Sequence, residues 1–104
     1  MSNKLVTTLD RRHTGFSHWK YYINKPGRPL GYIDSKQKFM EWRAWCWDMW
    51  GASKELYEYL DDIRFPTSIL ACHNKNWCWR NDKDVCRIYL RSDDELSYFL
   101  LRWS

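Results

Sequence analysis

The chain has 104 residues, 44% hydrophobic and 29% charged, with four glycines, three prolines and a net charge of +4. That length holds one domain, residues 1–104, and enough apolar content to form a core, which excludes disordered, collagen-like, coiled-coil and membrane-spanning classes. Eight Trp, seven Tyr and four Phe are more aromatic surface than a small interior absorbs easily, because a chain of this size hides only ~65% of its unfolded surface.

Met1 to Asp10 lacks the ~7–15-residue apolar run of a signal peptide. The longest apolar cluster, Trp45 to Trp50, is broken by Asp48 and falls far short of a ~20-residue span. A cytoplasmic protein is expected, and its four cysteines then default to thiols. Charge is uneven: residues 1–40 hold eight basic and two acidic side chains, whereas residues 51–104 hold eight basic and nine acidic.

Residues 16–24 alternate and are aromatic, which predicts a strand with Trp19, Tyr21 and Ile23 on one side. His18, Lys20 and Tyr22 take the other side, and Lys4 to Leu9 supplies a partner strand. Lys25-Pro26-Gly27-Arg28-Pro29 is loop chemistry. A helix capped by Asp34 or Ser35 then runs to about Trp50, where Gly51 ends it. Its polar stripe is narrow, consisting of Gln37, Glu41, Ala44 and Asp48. Phe39, Met40, Trp42, Trp45, Cys46, Trp47, Met49 and Trp50 cover most of the remaining circumference. Arg43 falls inside this apolar arc, so it must snorkel, pair or stack on a tryptophan face.

Ser53 caps a second helix to about Ile63, with Leu56, Leu60 and Ile63 inward and Pro66 ending the region. Trp77 to Arg80 and Val85 to Arg91 form a hairpin that sets Arg80 opposite Val85. Trp77, Trp79, Cys86, Ile88 and Leu90 share its core face, and Arg80, Arg87, Tyr89 and Arg91 its outer face. Cys78 and Cys86 point to opposite faces, which argues against a disulfide between them. Ser92-Asp93-Asp94-Glu95 is a capping box that starts a last helix, with Leu96, Phe99, Leu100 and Trp103 following at helical spacing. The order predicts an α+β sandwich: a small, mainly antiparallel sheet of three or four strands with two or three helices on one face. A split β-α-β, ferredoxin-like arrangement fits the order, with the other sheet face open.

Three surfaces offer chemistry. The open sheet face combines Lys20, Tyr22, Arg80, Arg87, Tyr89 and Arg91 with His18; cations neutralise phosphates and rings stack bases, which suits single-stranded nucleic acid or a nucleotide. No Gly-aromatic-Gly run of the RNA-recognition type accompanies it. The Trp-rich helix offers anchors for a protein partner, since Trp, Tyr and Arg dominate interfaces. Trp42, Trp45, Trp50, Arg87 and Tyr89 are the anchors expected, and a structural role within a larger assembly would bury the same helix. The basic N-terminal third, with Arg11, Arg12, His13, Lys25, Arg28, Lys36 and Lys38, could clasp an acidic partner or phosphates.

Catalytic and metal signatures are weak. Cys72, His73, Cys78 and Cys86 lie close in sequence but lack the paired C-x₂₋₄-C knuckles of structural zinc, so no metal and no cofactor is expected. No Gly-rich phosphate loop, G-x-S-x-G or H-E-x-x-H occurs. Cys72 or Cys78 with His73, or Asp10 with His13, could be drawn as a catalytic pair, but the spacing favours neither. A non-enzymatic binding protein is therefore expected.

The pattern Trp42…Trp45-Cys46-Trp47…Trp50-Gly51, then Asn76-Trp77-Cys78-Trp79-Arg80-Asn81-Asp82, then Arg87-Ile88-Tyr89-Leu90 to Leu101-Arg102-Trp103, resembles small Trp-rich proteins of tailed bacteriophages. The resemblance spans residues 39–103 and assigns no functional residue. It implies a setting in the cytoplasm of an infected bacterium. It also implies a role in binding a host or phage protein, as an inhibitor of a defence or a means of redirecting an enzyme.

Overall fold

The computed structural model describes residues 5–16, 18–27, 30–64, 74–82 and 85–103, with backbone alone at 62–64. Its elements are β1 (Val6–Thr8), β2 (Tyr21–Asn24), α1 (Tyr32–Trp50), α2 (Leu56–Arg64), β3 (Trp77–Asn81), β4 (Cys86–Leu90) and α3 (Asp93–Trp103). The protein is a small α+β domain rich in tryptophan, built on a four-stranded sheet of order β1-β2-β4-β3 in which every adjacent pair is antiparallel. The expected split β-α-β arrangement is present: β2 and β3 are both antiparallel to β4, which lies between them, and so run parallel to each other. Both α1 and α2 fall in the connection between these two parallel strands, and β1 adds the fourth strand beside β2.

Side chains alternate along each strand, so the sheet has two faces with separate cores. Ile23, Trp77, Cys86, Ile88 and Leu90 meet Phe39, Trp42 and Cys46 of α1 and Phe99 of α3. Tyr22, Cys78 and Tyr89 point the other way and meet Leu56 and Tyr59 of α2, with Leu9 and Trp19 from the preceding loop. The expected open face is therefore covered. Tyr22 and Tyr89 are large enough that leaving them wet would forgo much apolar burial, and α2 with the 9–19 loop supplies the lid.

The hairpin register moves by two residues from the expected one, with Arg80 opposite Arg87 and Asn81 opposite Cys86. An even shift preserves each side chain's face, so the predicted core and outer sets survive. Trp19 does not. It was expected beside Tyr21 and Ile23, but the strand starts only at Tyr21, and the His18 and Trp19 amides both donate to the Gly15 carbonyl at 2.9 Å. This turn breaks the alternation and drops the Trp19 ring onto Tyr59, 5.0 Å between centroids. Gly15 sits at φ +91°, where an added Cβ would lie 3.0 Å from Trp19 Cδ1 and 3.2 Å from Leu56 Cδ1.

Helix starts also differ from expectation. Gly31, in extended conformation, precedes α1 and accepts from the Ser35 amide at 2.9 Å, while the Ser35 hydroxyl donates to the Pro26 carbonyl instead of capping. Ser53 does not cap α2: its hydroxyl donates to the Trp77 carbonyl at 2.7 Å, and the Glu55 carboxylate receives the Tyr57 amide at 3.0 Å. At α3 the Ser92 hydroxyl donates to Glu95 at 2.6 Å and the Leu96 amide to the Ser92 carbonyl at 3.1 Å. Asn74, which carried no sequence signal, ties the far end of α1 to β3. Its side-chain amide donates to the carbonyls of Trp50, Gly51 and Ala52, while its Oδ1 accepts from the amides of Asn76 and Trp77.

Candidate functional site

α1 directs Phe39, Trp42 and Cys46 to the sheet. That seam is narrower than the helix's apolar arc, so Met40 and Trp47 stay 40% and 43% exposed. Residues three and four apart share a helix face. Met40, Arg43, Ala44, Trp47 and Asp48 accordingly line one groove of about 340 Å³.

Arg43 joins this groove to the sheet. Its guanidinium lies 4.2 Å from the Trp79 ring centroid and 5.7 Å from that of Trp47. Stacking was one of the three outcomes its position allowed, and aromatic faces stabilise a cation there. A ring face, however, offers no acceptor to N–H groups lying in the guanidinium plane. The Nε is buried without a hydrogen-bond partner, as is the Nε1 of Trp79. Among the described residues no carboxylate pairs with Arg43, and burial is the one influence on its pKa, which it lowers. The groove thus holds a stacked, half-buried cation with an unmet Nε beside exposed apolar surface, an arrangement suited to gripping a planar anion.

The anchors expected for a protein partner do not converge. Trp42 is 4% exposed and packs edge-on to Phe99, and Tyr89 is 1% exposed against Tyr22; both are core residues, correcting their assignment as surface anchors. Trp45 and Trp50 are partly buried and pack edge-on against each other at 5.3 Å, with Trp103 beside Trp45. Arg87 lies across the sheet from them, on the face of Tyr22 and Tyr89. Sequence reasoning recognised the Trp-rich helix but missed Met40 and Trp47 as the surface pair, with Trp79 kept on the core face as expected. The available signal was Arg43 within the apolar arc, which marked the side of the helix that could not be wholly core.

The residues expected to hold nucleic acid are not assembled as an open platform. Tyr22 and Tyr89 are buried under α2. Lys20 pairs with Asp93 at 3.0 Å, and Arg80 with Asp82 at 3.0 Å. Arg87 stacks on Tyr22 and donates to Asn24 Oδ1 at 3.0 Å, and Arg91 donates to the His18 carbonyl at 2.6 Å. These cations already have acceptors within the chain, and the intended stacking rings are covered.

In the basic N-terminal third, Arg12 pairs with Asp10 at 2.9 Å, and its hydrogen bonds are the main reason the Asp10 carboxyl is lowered to about 2. His13 Nδ1 lies 2.9 Å from the same carboxylate, bracing the loop. Lys25 and Lys36 lie over Tyr32, and Lys38 over Trp103. Arg28 lies outside the described residues.

Cys46, Cys78 and Cys86 are buried free thiols, Cys78 and Cys86 lie on opposite faces, and burial pushes the Cys46 and Cys78 thiols up, away from the reactive thiolate. Cys72 and His73 lie outside the described residues. Among the described residues no group of three or more His, Cys, Asp or Glu could hold a metal ion, and no helix is long and apolar enough to cross a membrane. Comparison with known proteins returns no matching family model, no matching curated protein and no matching solved structure.

Proposed function

We propose that this chain is a non-catalytic binding module that captures a protein partner through the groove along α1. The observation that carries this reading is the stripe of Met40, Arg43 and Trp47. It combines a stacked, unsatisfied guanidinium with a large ring and a flexible thioether on one exposed helix face. Trp and Arg are the residue types that concentrate binding energy at interfaces, and Met adapts its shape to what it meets. The infected bacterial cytoplasm implied by the phage resemblance is the setting proposed, with a host or phage protein as partner and inhibition or redirection of that partner as the outcome.

Capture from a bacterial lysate, quantified by mass spectrometry, tests the assignment. Trp47→Ala and Met40→Ala should lose the captured protein while changing stability by no more than ~0.5 kcal/mol, as surface substitutions do. Leu101→Ala, at a residue 82% exposed on α3, should keep it. Equal capture by Trp47→Ala and wild type would remove the groove from the function.

A further inference from the structure

We infer that Arg43 is a carboxylate receptor, and that the partner presents to the α1 groove an acidic side chain flanked by an apolar one. This rests on the protein-binding reading above. The guanidinium is positioned before any partner arrives, because Trp79 and Trp47 hold it from the sides at 4.2 and 5.7 Å. A stacked arginine keeps all its N–H donors in the plane of the group, and that fork matches a carboxylate's two oxygens. Among the described residues no carboxylate pairs with the guanidinium: Nε is buried and unpartnered, and Asp48, although it lines the same groove, makes no ion pair with Arg43.

Nε faces the interior, so a partner's carboxylate would meet the fork formed by the two terminal nitrogens, and charge-assisted bonds of ~2.7–2.9 Å are the strong class. Met40, Ala44 and Trp47 form the apolar flank, which an adjacent Leu, Met or aromatic side chain of the partner would cover. Phosphate tracks of nucleic acid need several cations in a row. Among the described residues Arg43 is the one cation lining this groove. The surroundings therefore favour an acidic peptide over nucleic acid.

Display selection of random peptides of about 12 residues on the intact protein, followed by fluorescence-polarisation binding of the enriched sequences, tests the inference. Enriched peptides should carry Asp or Glu next to a large apolar residue. Their affinity should fall at least about tenfold when that acid is replaced by its amide, and equally in Arg43→Met, which is a hot-spot-sized loss. The peptide amide leaves the protein untouched, so a folding defect in Arg43→Met cannot mimic the result. Peptides that depend on Trp47 but bind equally as acid or amide would overturn the carboxylate receptor and leave the protein-binding reading standing. Absence of any enriched peptide that depends on Trp47 would overturn both. Oligo(dT) binding that weakens steeply with salt and is lost in Arg43→Met would overturn the inference in favour of nucleic acid.

Discussion

Arg43 and Arg87 lie on opposite faces of one sheet, each stacked on a ring, 4.2 Å from Trp79 and 4.1 Å from Tyr22. The stacking is nearly the same, but the in-plane chemistry is not. Arg87 donates its Nε to Asn24 Oδ1 at 3.0 Å, whereas the Nε of Arg43 is buried with no acceptor. On the α2 face, cations at 20, 80, 87 and 91 are each engaged within the chain. On the α1 face a guanidinium with an unsatisfied Nε lines a groove with exposed Met40 and Trp47. A cation on a ring is therefore not in itself a binding feature; what distinguishes the two is whether the fold also supplies an acceptor. Where it does, the arginine fastens the structure, and where it does not, the donors remain for something else.

The largest effect expected is on the shared core beneath α1. Trp77 is fully buried and donates Nε1 to the Gly51 carbonyl at 2.9 Å. Trp77→Ala should cost ~3–5 kcal/mol in denaturant unfolding, against little change for Trp47→Ala, only a few ångströms away on the same side. Comparable losses for the two would mean that Trp47 belongs to the core and that the groove is not a separate surface.

The paired arginines give the next and most direct contrast. Arg87→Met leaves Asn24 Oδ1 without its donor and should destabilise by about 1 kcal/mol. Arg43→Met removes an unsatisfied, partly desolvated cation while keeping an apolar chain on Trp79. Its stability should be unchanged or higher by up to ~1 kcal/mol. A loss in Arg43→Met as large as in Arg87→Met would make the Trp79 stack structural and break the comparison.

The smallest effect concerns the loop that covers the α2 face. Arg12 hydrogen bonds hold the Asp10 carboxyl down at about 2. A depressed carboxylate contributes fully above its unfolded value, near 3.8, and the contribution is lost as pH falls through about 2. The Asp10 side chain is half exposed, so solvent screening keeps the consequence for global stability slight. Carboxyl NMR should place its midpoint near 2, with shifts at the Arg12 side chain and amide over the same interval. An ordinary Asp midpoint would show that the Arg12 contact does not hold this loop in solution.

Much of the fold was legible from residue order. The hairpin's two faces followed from alternation and survived a register different from the one expected, because a shift of two returns every side chain to its side. The polar stripe Gln37, Glu41, Ala44 and Asp48 is exposed, as the helical period requires, and Gly51 ends α1 at φ +96°. The caps at Ser35 and Ser53 were legible only as residue types with capping ability. Distant carbonyls of Pro26 and Trp77 took those hydroxyls, and such competition is invisible in a local window.

The candidate site divides in the same way. Residue identity alone determined that Arg43 lay within an apolar arc and required an unusual environment, since a guanidinium cannot enter a core without a partner or a ring. Which part of that arc became surface, and which rings became core, was decided only by packing. Trp42 and Trp47 are alike in sequence, yet one meets Phe99 of α3 and the other borders the groove. Tyr22 and Tyr89 matched an open platform in pattern until α2 and the 9–19 loop closed over them. Periodicity specifies the directions in which side chains point. What waits in each direction depends on elements many residues away, and here that distant packing left Arg43 its rings but no acceptor.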